Sequence, residues 1–321
     1  MASTQSHPAR ATPPLDVRQR LARILLGREV GQRIPTVQDL QATTQVGTGT
    51  VIKALRSLEG SGAVSLSSHG HQGTVVAQRN VGLLWNEARL GNFVLATPPP
   101  GPIEQYGIVE SIQTTLNRMN IPVSISYIPG ARERLAAVFH SKVHAVVTSL
   151  GAFEHHREDF PGLNGLDLGA GSFYAKNSLV VVEIKDAAPS SPLVVGIDRG
   201  SFDHQLLTER EFASVPHTLV DCHFVSAPAA VLAGTVDAAV WHAMPTVIPP
   251  ELAGLRLRPL SDSTRAGAID VARAVLVSRN LDAGVSALLR LVSGEEVAIT
   301  QLKLLKAASS SLGEDAHFWP R

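Results

Sequence analysis

The strongest constraint on this chain is a unit written twice. Residues 93–97 read as a strand and residues 104–120 as a helix with Ile108, Ile112, Leu116 and Met119 at core spacing. Strand 123–128, helix 132–140 and strand 143–148 follow. The same order returns as strand 193–197, helix 202–212, strand 218–225, short helix 228–232 and strand 236–241. The echo is close at the last step, where Val143-His144-Ala145-Val146-Val147 is matched by Val236-Asp237-Ala238-Ala239-Val240. Two such βαβαβ units predict an α/β body of two parallel-sheet lobes, each sheet covered by its own helices. Strand 179–185 then crosses from the first lobe to the second, strand 272–278 returns, and helices 283–291 and 295–307 close the first lobe.

Ahead of this body lies a segment of different character. Residues 1–80 carry nine Lys and Arg against four Asp and Glu, although the whole chain is neutral with 28 of each class. A basic head on a mildly acidic body suits a phosphate-binding module joined to something else. Val17, Leu21, Ile24 and Leu25 mark a first helix, with Arg18, Arg20 and Arg23 available to face outward. Thr36 can cap a second helix running to about Thr43. The third covers 48–59. Its apolar face is Val51, Leu55 and Leu58, and its polar face carries Gly49, Thr50, Lys53, Arg56 and Ser57. Strands 63–67 and 73–77 flank the polar turn Ser68-His69-Gly70-His71-Gln72, which makes a hairpin wing.

These residues carry a resemblance. The run Ile34-Pro35-Thr36, Leu40, Val46-Gly47-Thr48-Gly49-Thr50-Val51, Ala54-Leu55-Arg56, Leu58-Glu59, Gly62 and Gly73-Thr74-Val75 resembles the winged helix of GntR-type transcription factors. Gln38 and Thr48 stand where those proteins commonly carry arginines, and Gly47 replaces the usual capping serine. The wing stretch 66–74, the run Leu95-Ala96-Thr97-Pro98-Pro99-Pro100 and Gly196-Ile197-Asp198 are closer to the YhfZ-like regulators. That resemblance implies an N-terminal winged helix-turn-helix fused to a two-lobed, type II periplasmic-binding-protein-like effector domain. Two lobes with two crossings, read from the residues alone, point the same way. The expected division is a disordered tail at 1–14, a winged helix at 15–80, a linker at 81–91 and an effector domain at 92–321. Lobe I takes 92–176 and 278–321, and lobe II takes 177–277.

Effectors in such folds sit at strand ends and helix starts between the lobes. Those positions select Thr97, Pro98 and Pro99, then Tyr106 and Ser149, and in the second lobe Asp198, Arg199, Ser201, Trp241 and His242. A small polar molecule fits these groups, with a carboxylate or phosphate as the partner for Arg199. Each residue also has a plain structural role open to it. Arg199 can pair with Asp198 or Asp203, Trp241 can be core, Ser149 can cap the next turn, and His242 can be a polar strand end. In the head, Thr36, Thr48, Gly49, Thr50, Lys53, Arg56, Ser68, His69 and His71 are the DNA-contact candidates. Lys53 and Arg56 could instead be merely solvated, and His69 with His71 reads as a polar turn rather than a metal pair.

No P-loop spelling and no Gly-x-Ser-x-Gly elbow occurs. Asp203 and His204 are acid/base candidates without a nucleophile, and His155-His156 with its acidic neighbours reads as a solvated loop. The lone Cys222 cannot form an internal disulfide and is expected as a buried, inert thiol. The sequence therefore points to a cytoplasmic, homodimeric, non-enzymatic regulator without cofactor or membrane segment, binding double-stranded operator DNA and a small-molecule effector. A two-lobed enzyme or ligand-capture protein that keeps the head as an interaction surface is the alternative.

Overall fold

A computed structural model describes residues 16–186, 190–244, 246 and 248–311. The tail expected at 1–14 lies outside the described residues. The chain divides into two compact units, Met1–Gly91 and Asn92–Arg321.

The first unit is built of α1 (Val17–Leu26), α2 (Val37–Thr44), α3 (Thr48–Gly60), β1 (Val64–Ser68), β2 (Thr74–Arg79) and α4 (Val81–Glu87). α1 packs on α3, and Leu21, Leu25 and Leu26 of α1 with Val51 and Leu58 of α3 are essentially buried. β1 and β2 pair antiparallel as the wing, and an isolated bridge from Arg33 to Val75 adds a short third edge. Two expectations are corrected here. Arg18, Arg20 and Arg23 do not project freely: they bind Glu87 with Ser57, the Thr44 carbonyl and the Ala88 carbonyl. Residues 81–91, expected as a linker, contain α4, which packs on α1 and buries Leu84 and Trp85 completely. The indole Nε1–H of Trp85 donates to the Gly91 carbonyl at 2.8 Å.

The second unit follows the duplicated pattern. Its elements are β3 (Phe93–Thr97), α5 (Ile103–Asn117), β4 (Val123–Tyr127), α6 (Ala131–Phe139), β5 (Ala145–Ser149), α7 (Leu150–His155), β6 (Leu163–Asp167) and β7 (Leu179–Ile184). Then come β8 (Leu193–Ile197), α8 (Phe202–Glu211), β9 (His217–Asp221), α9 (Ala227–Leu232), β10 (Ala238–His242), β11 (Leu255–Pro259) and α10 (Asp262–Ala266). The last are β12 (Ala274–Arg279), α11 (Ala283–Leu289) and α12 (Gly294–Ser311). One sheet has the order β4-β3-β5-β12-β6, the other β11-β7-β10-β8-β9. Neither sheet is purely parallel. β12 lies antiparallel between β5 and β6, and β7 lies antiparallel between β10 and β11. Each crossing strand thus enters the sheet of the lobe it has reached, against the direction of the βαβαβ strands. Because β12 belongs to the first sheet from Ala274 onward, lobe I resumes there and not at 278. The edge strands β6 and β11 escaped the sequence reading because Leu163-Asn164-Gly165-Leu166-Asp167 and Leu255-Arg256-Leu257-Arg258-Pro259 lack the β-branched residues that mark strands.

Candidate functional site

The second unit holds a cavity of about 730 Å³ between its lobes. The helix starts and strand ends that face one another across the seam build its walls. Pro98 and Pro99 leave β3 in a stiff loop that feeds α5. Gly130, at φ +75, starts α6, and a Cβ there would lie 3.3 Å from the Gly200 carbonyl oxygen of the other lobe. Only glycine allows both the backbone turn and that close approach. Across the seam, Asp198 accepts the Gly200 amide at 2.9 Å and the Phe224 amide at 3.1 Å, which shapes the loop before α8.

Of the residues selected from sequence, Pro98, Pro99, Asp198, Arg199, Ser201 and His242 line the cavity. The others stand elsewhere. Thr97 is buried and donates to the Pro98 carbonyl. Tyr106 is exposed on α5 and does not line the cavity. Trp241 is buried in the second lobe's core with Val182, Val231 and Leu255, so its role is packing. Its side chain leaves the opposite face of β10 from His242, as period-two alternation requires. Ser149 caps α7 and donates to Asp203 at 2.7 Å, so it acts on the site through that carboxylate. Arg199, expected to meet a ligand anion, is half exposed and bound to Asp221 at 2.8 Å, not to Asp198 or Asp203.

The groups that sequence reading missed are the buried ones. Arg134 is fully buried: its Nε–H donates to the Val147 carbonyl at 2.8 Å and Nη1 to the Ile128 carbonyl at 2.9 Å. Burial pulls this guanidinium down to about 10, against the attraction of Asp203, so it stays charged at neutral pH. Asp203, on the first turn of α8, is also fully buried. Burial pushes its carboxyl up to about 6, against hydrogen bonds from Ser149 and Tyr174 and the pull of Arg134. Tyr174 sits over it with its hydroxyl 3.3 Å from the carboxylate, and burial followed by the Asp203 charge holds the phenol well above its ordinary value. His204 is buried, stacked on Phe224 at 4.3 Å, and desolvation lowers it to about 3, so its ring is neutral. Burial opposes ionisation of Glu104, but His242 at 3.2 Å and the Ala175 amide outweigh it and hold the carboxyl below its usual value.

Arg134 sits on α6 at the right offset to face inward, but nothing in Arg132-Glu133-Arg134 says which charge is buried. Tyr174 lies in irregular chain before β7, where no periodicity points to it. His155, read as part of a solvated loop, ends α7, lines the cavity and stacks on Phe202 at 4.3 Å. Cys222 is half-buried rather than buried, and burial followed by the Asp198 charge raises its thiol, which disfavours the reactive thiolate.

In the first unit, Thr48, Gly49, Thr50, Ile52, Lys53, Arg56 and Ser57 are exposed along one side of α3, while Val51, Leu55 and Leu58 are buried. Lys53 and Arg56 have no ion-pair partner among the described residues. Thr48 donates to Gln41 at 3.0 Å and ties α3 to α2. Thr36 closes a capping box with Asp39, which assigns its side chain to the start of α2. Ser68, His69 and His71 are exposed at the wing tip. Arg33 joins them: a Cβ on Gly73, at φ +84, would lie 2.6 Å from its Nη2, so the wing glycine makes room for this guanidinium.

Residues 80–311 match the family described as YhfZ C-terminal domain. The chain belongs to the YhfZ family. Residues 29–76 match a family described as helix-turn-helix domain, covering α2, α3 and most of the wing. The Escherichia coli (strain K12) protein "Uncharacterized protein YhfZ" is 26% identical over 274 residues, spanning 85% of this chain and 88% of its own. The crystal structure of YhfZ from Shigella flexneri superposes with a TM-score of 0.54 at 21% identity, over 74% of this chain and 98% of that one. A ligand-binding component of a Staphylococcus aureus ABC-type import system overlays at a TM-score of 0.44 and 14% identity, over 69% of this chain and 75% of its own. This chain thus joins a helix-turn-helix unit to a two-lobed α/β unit with mixed sheets.

Proposed function

We propose that this YhfZ-family protein is a cytoplasmic, homodimeric transcriptional regulator. Its GntR-like winged helix binds double-stranded operator DNA, and its cleft senses a small polar, anionic metabolite. The observation that carries the reading is the exposed side of α3, where small and polar residues flank Lys53 and Arg56, cations without an ion-pair partner among the described residues, above an apolar packing face. A helix so built approaches a groove closely, with Gly49 and Thr50 near base edges and the cations on phosphate. The wing residues Ser68, His69 and His71 reach the backbone beside it. Two-fold operator symmetry is the reason for the dimer.

DNA from upstream of the chain's own coding region is the natural target for titration. The Lys53→Ala/Arg56→Ala pair is expected to reduce the salt dependence of binding by about one per lost phosphate contact and to weaken all sequences alike. Binding unchanged by this pair and by deletion of residues 68–72 would remove the DNA role.

A further inference from the structure

We propose that Arg134, and not the more exposed Arg199, receives the anionic group of a ring-bearing monoanion, and that Asp203 takes up one proton from solvent as that ligand binds. The inference rests on the effector-sensing reading above and names the ligand class and the atoms that would hold it.

The geometry begins with the guanidinium. Two of its N–H groups are fixed on the Val147 and Ile128 carbonyls, which set its plane at the cavity wall. The others, those on Nη2 among them, have no hydrogen-bond partner among the described residues, and Arg134 lines the cavity. A guanidinium with its orientation fixed and N–H groups to spare is matched to a carboxylate or phosphate. Gln105, also lining the cavity and 4% exposed, has a buried Oε1 without a partner, so a hydrogen-bond donor on the ligand is called for nearby. Phe173, Tyr174, Phe202 and Phe224 supply aromatic surface, and Phe202 and Phe224 are held by stacking on His155 and His204. Such walls favour a flat ring over a chain.

Asp203 supplies the proton linkage. Its carboxylate meets Ser149 from the end of β5, the Tyr174 hydroxyl from the segment before β7, and the Arg134 charge from α6. On its own helix, His204 is neutral. Behind Tyr174 lies Glu104 with His242. Among the described residues, Arg134 is therefore the cation acting directly on this buried carboxylate. A second anion placed on Arg134 leaves two negative groups sharing one positive charge, and a carboxyl already raised to about 6 takes the proton. One proton moves from solvent to an Asp203 oxygen, no bond of the ligand breaks, and the neutral carboxyl can donate to the bound anion.

The test is titration calorimetry of the full chain with benzoate, benzamide and the monoanionic diester methyl phenyl phosphate, at about pH 7.2 in Bis-Tris and in Tris, whose ionisation heats differ. Benzoate or methyl phenyl phosphate is expected to bind at least about tenfold more tightly than benzamide, with close to one proton taken up. The better of the two anions identifies the group that Arg134 prefers. Arg134→Lys should weaken that anion about tenfold, because lysine cannot reproduce the planar fork. Asp203→Asn should keep binding and abolish proton uptake, and it serves as the check if the Arg134 variant fails to fold. The proposal is overturned by equal binding of benzamide, by no binding of either anion, by proton uptake that survives Asp203→Asn, or by loss on Arg199→Ala without loss on Arg134→Lys. A chain that shifts operator DNA but ignores all three probes refutes this site and leaves the regulator reading standing; the reverse pattern refutes DNA binding alone.

Discussion

At the scale of single residues, Asp203 joins stability to pH. Its folded carboxyl titrates near 6, against 3.8 for an unperturbed aspartate, because it is buried. Folding therefore favours the protonated form. The contribution is fully present below the unfolded value and is lost as pH rises through 6. Asp203→Asn carries no ionisation penalty, so its stability relative to the natural chain should rise by about 2–3 kcal/mol between roughly pH 4 and pH 8. Urea unfolding at both pH values measures this, and a gap that shrinks with pH would mean the carboxylate is stabilised by its partners after all. Gly73 makes a second residue-level case. At φ +84 and packed against the Arg33 guanidinium, Gly73→Ala strains the wing and displaces that cation. A loss of about 1–2 kcal/mol in stability is expected from the backbone alone. A larger loss in DNA affinity should follow, read by anisotropy on the same DNA.

At the scale of elements, much of the molecule is legible in its sequence, and the misses have physical reasons. The three helices and wing of the head follow from spacing, because each buries one face and exposes the other. α4 was unreadable as structure because Val81-Gly82-Leu83-Leu84-Trp85 spans barely two turns, and only its burial on α1 makes it a helix. Trp85→Ala should accordingly cost about 3–5 kcal/mol in thermal or urea unfolding, a loss foreign to a linker residue. The cleft was legible by position, at strand ends and helix starts, so Pro98, Asp198, Ser201 and His242 could be named. Arg134, Tyr174 and Phe224 could not, since burial of a charge and the path of irregular chain are tertiary facts. α5 and α12 show the same limit. Gly107 lies where an added Cβ would meet Gln301 at 2.4 Å, and Gln301 holds the Glu104 and Ser172 carbonyls. Gly107→Val should therefore destabilise the chain by about 1–3 kcal/mol, seen as a lowered Tm.

At the scale of the whole molecule, a basic helix-turn-helix unit and a mildly acidic two-lobed unit share one chain. Each unit carries its own chemistry: exposed cations beside small residues on α3, and a buried guanidinium facing a cavity between lobes. The central claim is that the first unit reads DNA. The most direct measurement is the dissociation constant of the full chain for its upstream DNA across about 50–200 mM salt, beside the Lys53→Ala/Arg56→Ala variant. The account predicts steep salt dependence for the natural chain and a slope shallower by about two for the variant. Salt-independent binding, or identical slopes for the two proteins, would contradict it.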